Sequence, residues 1–279
     1  MNLWVVKVVV ANCGCDLRVN DVPVFEDHGR SGRVELERFV SLLVGTGQNV
    51  LSFALRPRRV EQEEDETFLD QPEVFVEMQL IRRLSVRGAD EVLGTLRFRG
   101  IGLRGDDPRS SVDYAGASEG GVVEAEVDRV LAWCRLDIED VLPAWSWVSA
   151  EQLTVSDEVR AAVEDLYGEV RVALERRDLA ALRAAMEENA REAALGFGCS
   201  MDEAYAILGL ERIASDARVD LLPPQSDVRL ELFGYGRLAR LVDAQGASAL
   251  AVRDTRRSLR THIDLFVARL PGRGWIAVR

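Results

Sequence analysis

Few side chains in this sequence are of the kinds that do chemistry, and their spacing limits what they can do. There are two histidines, His28 and His262. Asp264 follows His262 by two residues, and strand residues at i and i+2 share a face, so the carboxylate could orient the imidazole as a general base. The polar stretch leading into His262 favours a solvated histidine near a strand start instead. Cys13 and Cys15 flank Gly14, a spacing that is neither a redox pair nor a zinc knuckle. On one strand face they read, with Cys134 and Cys199, as reduced thiols. No HExxH, His-x-His or CxxC spacing occurs, so a zinc site is not expected. Walker and nucleophile-elbow patterns are also missing, and Gly234-Tyr-Gly236 falls in a strand pattern and opens no helix. No cofactor and no catalytic residues are expected.

The strongest local signal is charge. From Glu61 to Glu77 there are eight carboxylates and no basic residue. Such crowding favours an extended, exposed loop, read either as a solvated connector or as a contact surface for a basic partner. Phe68, Leu69, Phe75 and Val76 place apolar anchors beside the charges, as interfaces do. The candidate partner-binding set is therefore Glu61, Glu63, Glu64, Asp65, Glu66, Phe68 and Asp70. A second candidate is Trp145 and Trp147, which would share one side of an extended segment. They could form a carbohydrate platform or a wedge between domains.

The elements that must carry these residues follow from composition and periodicity. The chain has 279 residues, 47% hydrophobic and 29% charged, which suits a folded soluble protein of two ordinary domains or one large one. A net charge of -12 repels phosphate backbones, so direct nucleic-acid binding is not expected. Lys7 is the only lysine, which GC-rich codon usage explains more simply than arginine's pairing geometry. Residues 1 to 10 lack a basic n-region and a cleavage site, and no run approaches the ~20 apolar residues of a membrane span. A cytoplasmic protein without membrane contact is expected.

Residues 3 to 10 read as a buried strand, and Asn20-Asp21 between apolar runs reads as a hairpin turn. Alternation continues through 33 to 40, 50 to 55, 74 to 81 and 93 to 99. Residues 100 to 121 read as loop, and residues 124 to 136 as either strand or helix. Thr154-x-x-Asp157 then suggests a helix start, with Val159, Val163, Leu166, Val170 and Leu174 on one face. Asp178 caps a second helix carrying Leu179, Leu182, Met186, Ala190 and Ala193, stopped by Gly196 and Gly198. Ser200-x-x-Glu203 is a capping box for a third. After Pro223-Pro224, residues 228 to 242 and 263 to 279 read as an antiparallel meander that needs a cover.

Val19-Asn20-Asp21-Val22-Pro23-Val24 and Gly47-Gln48-Asn49-Val50-Leu51 resemble the jelly-roll ancillary domains of bacterial glycosidases. That resemblance covers about 40 residues and implies a sandwich without ligand residues. Ala173 to Leu182 and the closing Gly274-Trp275-Ile276 resemble the SnoaL-like, cystatin-type α+β cone. Catalytic members of that superfamily often place a His and an Asp inside the cone, which would single out His262 and Asp264. The expected fold is α+β: a β-sandwich over 1-148 followed by a helix-then-meander cone over 149-279. In general character the chain is similar to immunity proteins of type VI secretion or polymorphic-toxin loci. That similarity implies a non-catalytic protein neutralising a cognate toxin, such as a nuclease, by meeting its basic surface. The alternatives are a carbohydrate-binding accessory protein, a SnoaL-like small-molecule enzyme and a scaffolding component of a secretion apparatus. Fold analogy also allows a homodimer through the cone sheet.

Overall fold

The computed structural model describes residues 2–27, 32–56, 73–84, 89–101, 111–123, 130–256 and 259–278. The chain divides into two compact units, Met1–Pro143 and Ala144–Arg279. The fold class is α+β, with antiparallel sheets in both units and the described helices in the second.

The first unit contains β1 (Leu3–Ala11), β2 (Gly14–Val19), β3 (Val22–Asp27), β4 (Arg33–Phe39), β5 (Gly47–Arg56), β6 (Glu73–Arg83), β7 (Asp90–Ile101), β8 (Ser111–Ala115), β9 (Glu119–Val123) and β10 (Val130–Ile138). They form two five-stranded sheets, ordered β4-β1-β6-β7-β8 and β3-β2-β5-β10-β9. Period-two alternation turns one apolar face of each sheet inward. Trp4, Val6 and Val8 of β1, Met78 and Leu80 of β6, and Leu96 and Phe98 of β7 are buried on one side. Leu17, Leu51, Phe53, Leu55, Cys134 and Leu136 are buried on the other. The sheets approach so closely at Gly94 that a side chain there would overlap Leu136 of β10. Cys13, Cys15 and Cys134 are buried, unbridged thiols; burial pushes Cys13 and Cys134 up to about 12 and Cys15 further.

Asn20 and Asp21 both take positive φ (50° and 64°), the backbone of the two-residue hairpin turn expected between β2 and β3. The stretch expected to be loop between 100 and 121 instead contributes β8 and β9, and the ambiguous 124 to 136 region ends in a strand, β10. Glu73 and Glu77, expected in the acidic loop, stand on β6 and pair with Arg99 and Arg97 of β7. Val76 is a core residue with no exposure. Strand pairing thus absorbs the C-terminal part of the acidic run, because its alternate side chains face a neighbouring strand rich in arginine.

The second unit opens on a short 3-10 turn, Ser146–Ser149, and continues with α1 (Asp157–Arg176), α2 (Leu179–Ala185), α3 (Glu187–Phe197), α4 (Met201–Leu208) and α5 (Leu210–Ser215). Ser156 caps α1, and Tyr167 joins the buried face beside Val163 and Val170. Asp178 caps α2 through the amides of Ala180 and Ala181. The helix expected to run on to residue 198 breaks at Met186, whose backbone (φ -107, ψ 15) departs from the helical range. Gly198, left-handed, ends α3, and the Ser200–Glu203 capping box opens α4.

The meander is also interrupted. β12 (Arg229–Phe233), β13 (Leu238–Val242), β16 (Val267–Leu270) and β17 (Gly274–Ala277) form one sheet. β14 (Ala251–Asp254) and β15 (Leu259–His262) instead pair with β11 (Val219–Leu221). Gly234, Tyr235 and Gly236, expected inside a strand, all have positive φ (59°, 58°, 81°) and make the turn between β12 and β13.

Candidate functional site

Three constellations in the second unit carry polar chemistry. The first contains His262 and Asp264. His262 closes β15, and its Nδ1 lies 2.7 Å from the Ser248 carbonyl. A carbonyl only accepts, so Nδ1 carries the hydrogen. Asp264 lies beyond the strand end, largely exposed, and accepts from Arg240 Nη1 at 3.0 Å. The two side chains are therefore committed separately and do not form the oriented base that their i, i+2 spacing allows.

Arg240 is the centre of that constellation. It is 3% exposed, with its guanidinium 4.8 Å from the Phe233 ring and 5.2 Å from the Phe266 ring, and it also donates to the Gly246 carbonyl. A buried cation is tolerated because two ring faces and Asp264 replace its hydration. Asp243, 1% exposed, accepts from the amides of Gln245 and Ala247 and from Arg260. These bonds close the turn that follows β13. The Tyr167 hydroxyl accepts from Leu241 N–H (3.2 Å) and donates to the Leu265 carbonyl (2.7 Å). It stands between β13 and the segment entering β16, where direct pairing is confined to Ala239 and Val267. Burial raises its ionisation well above the ordinary phenol range. These groups hold the sheet together and leave no activated nucleophile.

The second constellation joins the Trp145–Trp147 segment to α3. The backbone N–H of Ser146 and its Oγ (2.6 Å) both donate to Glu192 Oε1. Glu192 is 3% exposed, and burial raises its carboxyl above the ordinary range. Trp145, which precedes the 3-10 turn, and Trp147, within it, are 2% and 6% exposed, so their rings offer no open platform.

The third is a cleft of about 300 Å³ between α1 and the 224–228 segment. Arg160, Tyr167, Arg171, Val228, Leu241 and Leu250 line it, with Glu164 at the same helix face. Arg160 is fixed by Glu164 (2.7 Å) and by the Val228 carbonyl (2.7 Å). Arg171, whose side chain is 19% exposed, meets Glu175 through Nε at 2.9 Å. Sequence periodicity places both arginines on the polar side of α1 and gives no sign that they border a cavity. The fold of 224–228 back over the helix creates it.

Glu61, Glu63, Glu64, Asp65, Glu66, Phe68 and Asp70 lie outside the described residues, as does His28. Among the described residues no three His, Cys, Asp or Glu side chains converge as a metal site. None of the described helices is long and apolar enough to cross a membrane. A scan against protein-family models matches none to this chain, and a search of curated proteins finds no match either.

Proposed function

We propose that this protein is a non-catalytic binding partner of a basic macromolecule, most specifically a cytoplasmic immunity protein that neutralises a cognate toxin of the type VI secretion kind. The observation that carries this reading is the crowding of carboxylates along the sequence from Glu61 to Asp70. Of the eight carboxylates in the acidic run, Glu73 and Glu77 are neutralised by Arg99 and Arg97 on the sheet. The other six fall within Glu61–Asp70, a stretch without a basic residue that Arg58 and Arg59 precede. A field of that sign attracts a positively charged surface and, for a nuclease toxin, competes for the channel that receives the phosphate backbone. Phe68 supplies an apolar anchor within the same stretch. The separate commitments of His262 and Asp264 remove the one acid–base pair legible in the sequence.

The finer structural likenesses belong to the same proposal. A jelly-roll-like sandwich is supported by strands that pass repeatedly between the two sheets, and a SnoaL-like cone by helices that precede a short antiparallel sheet. Both scaffolds serve binding proteins and enzymes alike, so function rests on the charge.

The test is association of the purified full chain with the product of a neighbouring gene, measured by calorimetry at two salt concentrations. Reversal of Glu63, Glu64 and Asp65 to Lys is expected to weaken binding by at least about tenfold and to flatten its salt dependence. Unchanged binding by the triple variant would reduce the acidic stretch to a connector.

A further inference from the structure

We propose that the cleft beside α1 is a binding site for a small organic carboxylate, with the carboxylate on Arg171 and an alkyl or aryl body on Val228, Leu241 and Leu250. The two arginines of the cleft differ in a telling way. Arg160 spends Nε on Glu164 and Nη2 on the Val228 carbonyl, and so serves as a wall that pins the 224–228 segment. Arg171 is bonded among the described residues to Glu175 alone, one turn along α1 and half exposed. A guanidinium has five donors in a planar fork, and burial of its stem without acceptors for the terminal nitrogens is unfavourable unless something else supplies them. Arg171 lines the cavity with a side chain that is still 19% exposed. A carboxylate matches the fork in two parallel hydrogen bonds.

The rest of the lining sets the class of ligand. Pro224, Val228, Leu241 and Leu250 are apolar, which excludes a bare inorganic anion as the best fit. Glu164 at the same wall disfavours a second negative charge. The volume, about 300 Å³, is at the small end of clefts that take metabolites. A monoanion with a short apolar body satisfies all three conditions. The inference stands apart from the proposed partner, since the lining residues named here all belong to the second unit and none of them enters that reading.

The experiment uses the full chain with octanoate, benzoate and the uncharged amide octanamide, followed by saturation-transfer NMR. Octanoate and benzoate are expected to bind in the millimolar range or tighter. Octanamide is expected to bind at least about tenfold more weakly than octanoate, and Arg171→Met to weaken octanoate by a similar factor. No saturation transfer to either acid would overturn the proposal. So would equal affinity of octanoate and octanamide for the unmodified protein, a comparison that needs no variant to fold.

Discussion

Buried asparagines anchor one polar cluster in each unit, and the two clusters are satisfied to different degrees. In the sandwich, Asn49 has no exposure, and each of its side-chain atoms is used twice. Oδ1 accepts from Asn20 Nδ2 and the Gly45 amide, and Nδ2 donates to the Gly45 and Gly47 carbonyls. Asn20 completes the knot by donating to Leu43 O and accepting from Val50 N. In the second unit, Asn189 and Glu192 stand one turn apart on α3 at 2% and 3% exposure. Asn189 Oδ1 and Glu192 Oε2 have no donor among the described residues. The difference lies in the surroundings. Turns leave backbone N–H and C=O groups unspent, so an amide side chain there finds partners on every side. Inside a helix the amides already serve carbonyls four residues back, so donors must come from side chains. Near α3 the donors to Glu192 come from Ser146, and both reach the same oxygen.

The most damaging test of this contrast is Asn49→Ala. It strips a partner from each of two carbonyls, one amide and the buried Asn20. The expected loss is about 3 kcal/mol, since each buried polar group left alone costs ~1–3 kcal/mol. Amide hydrogen exchange at Gly45 and Val50 reads this directly and should accelerate across β2 and β5. Exchange as slow as in the unmodified protein would show that the knot is ornamental to the sandwich.

Tyr167→Phe is expected to be smaller, about 2 kcal/mol, because it orphans one donor and one acceptor at the Leu241–Leu265 gap while keeping the ring. Helical circular dichroism during urea unfolding reports it, since the described helices all lie in the second unit. An unchanged midpoint would mean that β13 and the Leu265 segment close on each other without the hydroxyl.

What was legible in the sequence divides along the same line. Local signals were readable because the residues that make them are neighbours: the Asn20-Asp21 hairpin, the Asp178 cap, the Ser200–Glu203 box and the Gly198 stop. Ser156 caps α1 although Thr154, two residues earlier, offers the same capping chemistry to a reading of the sequence. Leu166 and Tyr167 both fit a helical stripe, and nothing local selects the tyrosine, whose hydroxyl partners lie 74 and 98 residues away. Arg240 reads as one polar residue in an alternating strand. Its burial depends on rings from Phe233 and Phe266, which the β12–β13 turn and β16 bring together. The knot itself was half legible. Both asparagines belong to the motifs that suggested a sandwich, but nothing local says that they bond to each other.

The finest test concerns the proton that the second cluster is short of. A hydrogen on Glu192 Oε2 would supply a donor where none exists, and burial already favours the neutral acid. Glu188 raises the Glu192 carboxyl further and Arg191 lowers it, while the β16–β17 turn carries Arg273 and α4 carries Asp202 and Glu203. Arg273 is bound to Glu188 at 2.8 Å, Asp202 to Arg183, and Glu203 to its own cap. Because the folded-state value is raised above the unfolded one, the stabilisation is complete below the unfolded carboxyl's range. It is lost as pH rises through the folded value. The melting temperature of the helical signal should therefore fall as pH is raised from about 4.5. Glu192→Gln keeps an oxygen for Ser146, supplies a permanent N–H donor and cannot titrate. It is expected to match the unmodified protein at the acidic end and exceed it by up to about 1 kcal/mol at the alkaline end. If the glutamine variant shows the same decline with pH, another group is responsible and the cluster is satisfied in some other way.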